Sequence, residues 1–268
     1  MVQLPEMSIA VVVITHNRLE LLRRCIENVL LRTSAHTHEI VIWDNASTDG
    51  TSEYVASLDD PRITLVTHHE NIGQNAYAEA FKLAKSDYFV EIDDDVVDAP
   101  AGWDEMLLVA YEKLPDLGFL AADLEDDPFD TASNIRHHVR PHEYSAVEEN
   151  GVRLLAGPTG GGCAMTSRAV NELVGGFPQQ PGKTFFLEDA AYIERIKRQG
   201  LRALILRDLR VHHTGGDYYT KATPDKIAYW EREKRVEARK ARVKRALLVL
   251  PFVRRLNARY RFFVEPTA

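Results

Sequence analysis

The strongest constraint in this sequence is an alternation of short apolar runs and amphipathic segments, four times over in the first 95 residues, with a polar cluster after each apolar run. Ile9 to Ile14 is a continuous, β-branched-rich run of the kind found in a parallel strand covered on both faces, and it stops at Thr15-His16-Asn17. Leu19, Leu22, Ile26, Val29 and Leu30 follow near 3.6-residue spacing, which predicts a helix. Glu39 to Trp43 predicts a second strand, closed by the turn and N-cap residues Asp44-Asn45-Ala46-Ser47-Thr48-Asp49-Gly50, and a short helix runs from about Thr51 to Leu58. A strand over Ile63 to Thr67 leads to a helix over Gly73 to Lys85, where Ala76, Ala80 and Ala84 allow close packing on a sheet. Tyr88 to Ile92 is a fourth strand, ending in Asp93-Asp94-Asp95. Strand and helix alternating at this spacing make parallel βαβ units, which bind ligands beyond the carboxyl ends of their strands. Every polar cluster named above falls there.

The second half is less regular. Trp103 to Lys113 reads as a helix and Leu117 to Ala122 as a strand, whereas Asp123 to Asn150 shows no period and reads as a long loop. Its His137, His138 and His142 have no cysteine partner and no HExxH frame, so they are read as loop residues rather than metal ligands. Gly151 to Ala156 and Gly162 to Thr166 predict strands around Gly157-Pro158-Thr159-Gly160-Gly161, where missing side chains let a ligand approach the backbone. Glu188 to Gln199 predicts a helix with Gly200 as its C-cap, followed by a strand over Leu201 to Leu206 and then by Val211-His212-His213-Thr214-Gly215-Gly216. Thr223-Pro224-Asp225 reads as a further helix start.

With 268 residues, 45% apolar and 27% charged, the chain can bury one large core and is expected to form one main domain. Cys25 and Cys163 lie far apart, and the opening MVQLPEMSIAVVVITHN lacks the features of a secretory signal, so a reducing cytoplasm without a disulfide framework is expected. Both thiols read as packed rather than reactive. The longest apolar run, Ala246 to Val253, is eight residues and contains Pro251, too short to span a bilayer. The net charge of −7 is unevenly placed: residues 1–220 carry 19 basic against 35 acidic residues, and residues 221–268 carry 14 against 5. An acidic body of net −16 argues against nucleic acid as a partner and attributes part of that charge to a metal site; any polyanion would meet the basic tail.

Asp93 and Asp95, at positions one and three of an extended end, project to one side, a geometry suited to a hard divalent cation; a solvated acidic turn is the plainer use of such a triplet, and the carboxyl end of a central strand favours the metal. Glu188-Asp189 opens a helix, where the macrodipole alone accounts for Glu188. Asp189 shares the apolar stripe of Tyr192, Ile193 and Ile196, so it is partly desolvated, and burial makes a carboxylate a better proton acceptor. His212 and His213, at a strand end before a glycine pair, offer an imidazole to complete a metal site, although a lone surface histidine is commoner than a ligand. An Asx-turn or a helix N-cap is the plainer use of this cluster, through Asp49 or Ser47, while Asp44 can instead accept a hydrogen bond from a base edge. There is no GxGxxG after the first strand and no GxxxxGK[ST], so the phosphate cradles of dehydrogenases and P-loop ATPases are missing.

In this order, VVVITHNR, EIVIWDNASTDGT, NIGQNAYAEAFKLAKSDYFVEIDDDV, GGCAMTSRAVNELVGGF, FFLEDAAYIERIKRQG and VHHTGG closely resemble the family 2 inverting glycosyltransferases of GT-A fold. The resemblance, over about residues 8–216, implies an α/β fold with a Rossmann-like, mostly parallel central sheet flanked by helices. It implies a catalytic domain over 1–220, with a nucleotide-sugar half to about residue 98 and an acceptor half beyond it; residues 221–268 are expected to form a basic helical C-terminal extension. Carried over by motif, Thr15, Asn17, Arg18, Asp44, Asp93 and Asp94 hold the nucleotide, and Asp93 and Asp95 bind Mn²⁺ or Mg²⁺ with His213, or His212 in the other register. Asp189 is the base, and Gly161, Gly162 and Glu188 line the sugar or acceptor. The implied reaction moves a sugar, with inversion, from a UDP- or dTDP-sugar to an acceptor hydroxyl in polysaccharide or glycoconjugate assembly. The expected partners are the nucleotide-sugar donor, a carbohydrate or lipid-linked acceptor, and an anionic membrane on the cytoplasmic side met by the tail. The tail's competing use is packing on the catalytic domain or on a second subunit in an oligomer. The rival functions are a nucleotide-sugar-binding adaptor recruited by that tail, and a sugar-phosphate nucleotidyltransferase, which would need a glycine-rich loop with Arg and Lys where THNRLELL stands.

Overall fold

Apolar side chains on both faces bury β1 (Ile9–Thr15) almost completely and place it in the interior of a sheet. It pairs in parallel with β2 (Thr37–Asp44) on one side and β4 (Tyr88–Asp93) on the other, and β3 (Ile63–Thr67) lies parallel beyond β2. The crossovers are α1 (Leu19–Arg32), α2 (Thr51–Ala56) and α3 (Asn75–Leu83), so the three strand ends Thr15, Asp44 and Asp93 arrive together at one edge. The computed structural model describes residues 7–125, 143–179, 188–214, 235, 239, 242–243 and 246–253. The chain divides into two units, Met1–Gly216 and Asp217–Ala268.

The remaining elements of the first unit are β5 (Val96–Asp98), α4 (Trp103–Glu112), β6 (Leu117–Glu125), β7 (Ser145–Glu149), β8 (Val152–Ala156), β9 (Cys163–Ser167), α5 (Arg168–Leu173), α6 (Glu188–Arg198) and β10 (Arg202–His213). Among the described residues they complete one ten-stranded sheet of order β3-β2-β1-β4-β9-β6-β10-β8-β7, with β5 paired to β10. The parallel centre expected from the βαβ units is present, and β10 continues it beside β6. β9 is inserted antiparallel between β4 and β6, and β8 and β7 close the far edge antiparallel. Alternation along β1 divides the core. Val11 and Val13 face Leu22, Ile26, Trp103 and Leu107 of α1 and α4, while Ala10 and Val12 face Ala80, Phe81, Tyr192 and Ile196 of α3 and α6.

Two expectations need correction. The stretch read as a loop up to Asn150 contains β7, which turns into β8 through Asn150 and Gly151, both in the left-handed region at φ 50° and 74°. Asn-Gly is the residue pair a two-residue hairpin turn requires, and this signal stood in the sequence beside a strand too polar to show a period. The last strand, expected to end at Leu206, continues to His213 after a register shift between Leu206 and Arg210. His137, His138, His142 and Thr223-Pro224-Asp225 lie outside the described residues.

Much of the acidic charge has a use that composition does not reveal. Asp104, fully buried, accepts from the Ser34 amide and hydroxyl at 2.8 Å each and from Thr37 Oγ1 at 2.7 Å. Glu39 accepts from the amides of Lys85 and Ser86 at 2.8 Å each. Asp49 reaches back to the Leu19 amide at 2.9 Å, satisfying an N–H at the start of α1 that has no partner within the helix. These carboxylates tie loops to neighbouring elements, so the metal cluster accounts for only part of the negative charge.

Candidate active site

β4 delivers Asp93 to the carboxyl edge, and β5 pairs antiparallel with the end of β10, His213 opposite Val96. The Thr214 amide donates to the Asp95 carbonyl at 2.9 Å, which seats the end of β10 beside the acidic turn. His213 Nε2 thereby lies 3.0 Å from Asp95 Oδ1 and 3.4 Å from Asp93 Oδ2. One ligand atom from each of the three residues falls within 4.8 Å of the others. His212 belongs to a different surface, a cleft shared with Arg32, Arg153, Arg207 and Arg210.

The residues fit a divalent cation. Two carboxylates and an imidazole form an O/N donor set suited to Mn²⁺ or a similar ion. Asp95 Oδ1 is buried and faces His213 Nε2 at 3.0 Å, the two donor atoms turned toward one point. Burial pushes the Asp95 carboxyl up, but His213 and Arg18 outweigh it and hold this group well below the usual range. Asp94 goes the other way, to about 7, because burial dominates and the charges of Asp95 and Asp93 add to it against Arg18 and Thr15.

The nucleotide-side residues are placed as follows. Thr15 is 2% exposed, and its hydroxyl donates to Asp94 Oδ2 at 2.7 Å. Arg18 pairs with Asp94 Oδ1 at 2.6 Å and Asp95 Oδ2 at 2.5 Å. Asn17, in the left-handed region at φ 52°, clamps the loop after β2, accepting from the Thr48 amide at 2.7 Å and donating its own amide to Ser47 Oγ at 2.9 Å. Asp44 is fully buried, accepting from the Ser47 amide three residues on at 2.9 Å and from the Ser52 hydroxyl. Sequence reasoning passed over His68, which stacks on Trp43 at 5.5 Å between centroids and whose amide donates to the Asp44 carbonyl.

Asp189 stands in the first turn of α6 above Tyr192, Ile193 and Ile196, all buried as the stripe required. The Gly161 amide donates to Asp189 Oδ2 at 2.7 Å, and the carbonyl of the next residue, Gly162, accepts from the Asp93 amide at 2.9 Å. One dipeptide thus couples the candidate base to a candidate metal ligand. Gly161 and Gly162 are both buried, so the missing side chains let protein groups meet across this backbone. Burial raises Asp189 to about 6, the Gly161 hydrogen bond opposes the rise, and the charge of Asp93 adds to it. Glu188 opens α6, and its side chain lies outside the described residues.

Glu91 is a residue that sequence reasoning missed. It is 2% exposed on β4, beside this junction, and its signal was an acid inside an otherwise apolar strand. A Cβ at Gly161 would press on Glu91 Oε1 and stand 2.7 Å from Asp189 Oδ2. Gly161→Ala is therefore expected to displace the Asp189 carboxylate and lower kcat by roughly 10- to 100-fold, since a shift of about 1 Å in a reacting group costs that much. Steady-state kinetics, with a melting curve to show that the fold persists, check this.

The family model described as glycosyl transferase family 2 matches residues 10–175, which run from β1 through the acidic turn to the end of α5. The chain belongs to glycosyl transferase family 2. Over 86 residues this family 2 chain is 40% identical to the Escherichia coli (strain K12) protein named "Putative colanic acid biosynthesis glycosyl transferase WcaA", a match covering 30% of each chain. Among solved structures it resembles the mannosyltransferase PcManGT of Pyrobaculum calidifontis in complex with GDP-Man and Mn²⁺, with a TM-score of 0.54 at 24% identity, over 76% of this chain and 56% of that one. It also resembles GalNAc-T7 with UDP, GalNAc and Mn²⁺, with a TM-score of 0.61 at 15% identity, over 77% of this chain and 43% of that one. These likenesses agree with the GT-A fold expected from the motifs. The family 2 chain spans about a third to just over half the length of these relatives.

Proposed function

We propose that this chain is a metal-dependent inverting glycosyltransferase that moves a sugar from a UDP- or dTDP-sugar to an acceptor hydroxyl in polysaccharide or glycoconjugate assembly. The observation that carries the proposal is the junction at Gly161–Gly162, whose two residues bond the Asp189 carboxylate on one side and Asp93 of the Asp93–Asp95–His213 cluster on the other. Asp93, Asp95 and His213 would hold the cation, Mn²⁺ as in both solved neighbours or Mg²⁺. The positive charge of a cation held there would offset the negative charge on the departing diphosphate. Asp189 takes the proton of the acceptor hydroxyl, and the Gly161 amide keeps its second oxygen oriented while it does so. Incubation with a panel of nucleotide sugars and Mn²⁺ tests the reading. A transferase releases nucleoside diphosphate, a binding adaptor releases nothing, and a nucleotidyltransferase releases pyrophosphate.

Asp44 closes β2 where the family resemblance expects the base; its oxygens accept from the Ser47 amide and the Ser52 hydroxyl, so accepting the N3–H that uracil and thymine share requires one of these bonds to be exchanged on binding. UDP and dTDP are therefore expected to bind more tightly than ADP and GDP in competition calorimetry. A preference for GDP would overturn this assignment.

The tail is proposed to meet an anionic membrane. Among the described residues no helix is long and apolar enough to cross a bilayer, while Val249 and Phe252 are 79% and 65% exposed. Arg239, Arg242 and Lys244 precede this run and Arg254 and Arg255 follow it, and each cation near an anionic surface contributes about 1 kcal/mol. Co-sedimentation with anionic vesicles should weaken with salt and disappear on truncation after Gly216. An unchanged soluble fraction would favour packing of the tail on protein.

A further inference from the structure

A continuous run of buried polar groups lies behind the candidate metal ligands. The Thr15 hydroxyl donates to Asp94 Oδ2 at 2.7 Å, and the Arg18 guanidinium spans Asp94 Oδ1 at 2.6 Å and Asp95 Oδ2 at 2.5 Å. The other oxygen of Asp95, Oδ1, faces His213 Nε2 at 3.0 Å. The side chains of Arg18, Asp94 and Asp95 are 11%, 4% and 0% exposed, so these are fixed contacts rather than surface ion pairs. Asp94 uses both oxygens inward, which separates it from its neighbours in the triplet. Asp95 divides its two, one to Arg18 and one to the cluster.

This division decides which way the Asp95 carboxylate points. A guanidinium is a planar fork that can hold two carboxylates at once, whereas an ammonium is a point charge that cannot fix their planes. The family resemblance gave Arg18 and Thr15 to the nucleotide. In this structure their polar ends meet Asp94 and Asp95.

We propose that Arg18 is a positioning residue of the cation centre, orienting Asp95 so that Oδ1 faces the cation, with Thr15 and Asp94 holding Arg18 in place. The proposal rests on the reading of Asp93, Asp95 and His213 as that centre. Partners that orient a metal ligand are worth roughly 10- to 100-fold in metal affinity.

The test is the charge-conserving Arg18→Lys variant of the full chain. Free Mn²⁺ is titrated by electron paramagnetic resonance without nucleotide, binding of uridine, which carries no phosphate, is measured separately in EDTA, and circular dichroism with a melting curve reports the fold. Arg18→Lys is expected to bind Mn²⁺ about 10- to 100-fold more weakly, with an altered spectrum of the bound ion, while uridine affinity in EDTA stays within about twofold of the parent protein. Thr15→Val, which removes a single hydroxyl, is expected to weaken Mn²⁺ binding several-fold, and it decides the matter should Arg18→Lys not fold. Parental Mn²⁺ affinity in the folded variants would overturn the assignment of Arg18 alone, and a loss of uridine binding in EDTA at unchanged Mn²⁺ affinity would return Arg18 to the base. A parent protein that binds no Mn²⁺ would overturn the cation centre and this inference with it.

Discussion

Asp189→Asn is expected to lower kcat by about 10²- to 10⁴-fold, the range a positioned general base supplies, while Mn²⁺ and nucleoside diphosphate binding stay at parental values. Asparagine keeps an oxygen for the Gly161 amide and loses only the capacity to take a proton. In the parent protein, kcat/KM should fall tenfold per pH unit below about 6, as the base becomes protonated. The same group makes a stability prediction of definite sign. Its carboxyl is raised from 3.8 to about 6 on folding, so its contribution to stability is full below about pH 4 and is lost as pH rises through about 6. Above that pH the ionised, desolvated carboxylate costs at most about 3 kcal/mol. Asp189→Asn should therefore melt several degrees higher than the parent at pH 8 and at the same temperature at pH 4. Parental turnover in this variant would remove Asp189 from the role of base; equal melting temperatures at pH 8 would show that its carboxylate is not desolvated.

Loss of the cation should be as severe. EDTA is expected to abolish turnover and Mn²⁺ to restore it, because a nucleoside diphosphate brought against Asp93 and Asp95 meets like charge unless a cation stands between them. Asp95→Ala should lose the metal dependence of nucleotide binding by calorimetry and reduce turnover at least 10²-fold. It also strands Arg18 and His213 at a buried site, at a cost of about 3–5 kcal/mol, so the near-isosteric Asp95→Asn separates lost ligation from lost stability. Nucleotide binding that still depends on Mn²⁺ in Asp95→Asn would place the cation elsewhere.

The parallel half of the fold was legible from local information. β1 to β4 are short, apolar and evenly spaced by helices with a clear stripe, so Thr15, Asp44 and the Asp93-Asp94-Asp95 triplet could be placed at one edge without a structure. The stripe of Tyr192, Ile193 and Ile196 likewise placed Asp189 inward. The antiparallel half was harder, because β7 is polar and solvated on one side and its pairing with β8 was marked only by Asn150-Gly151. The extension of β10 to His213 depends on pairing with β5 and β6, contacts that no window of sequence contains.

The sequence by itself determined the family, the sheet edge and the residue types of the site, since periodicity and turn chemistry are local properties of the chain. Tertiary structure alone decided which atoms meet. It chose His213 over His212, because strand alternation sends adjacent side chains to opposite faces and only the pairing with β5 says which face holds the acids. It turned Asp94 inward onto Thr15 and Arg18 while its neighbours stayed with the cluster. It also gave Gly161 and Gly162 their place between Asp189 and Asp93, through hydrogen bonds that span 28 positions to Asp189 and 69 to Asp93 and that depend on β9 sliding in beside β4. Such contacts are long-range hydrogen bonds and charge pairs, whose strength depends on distances the folded chain sets.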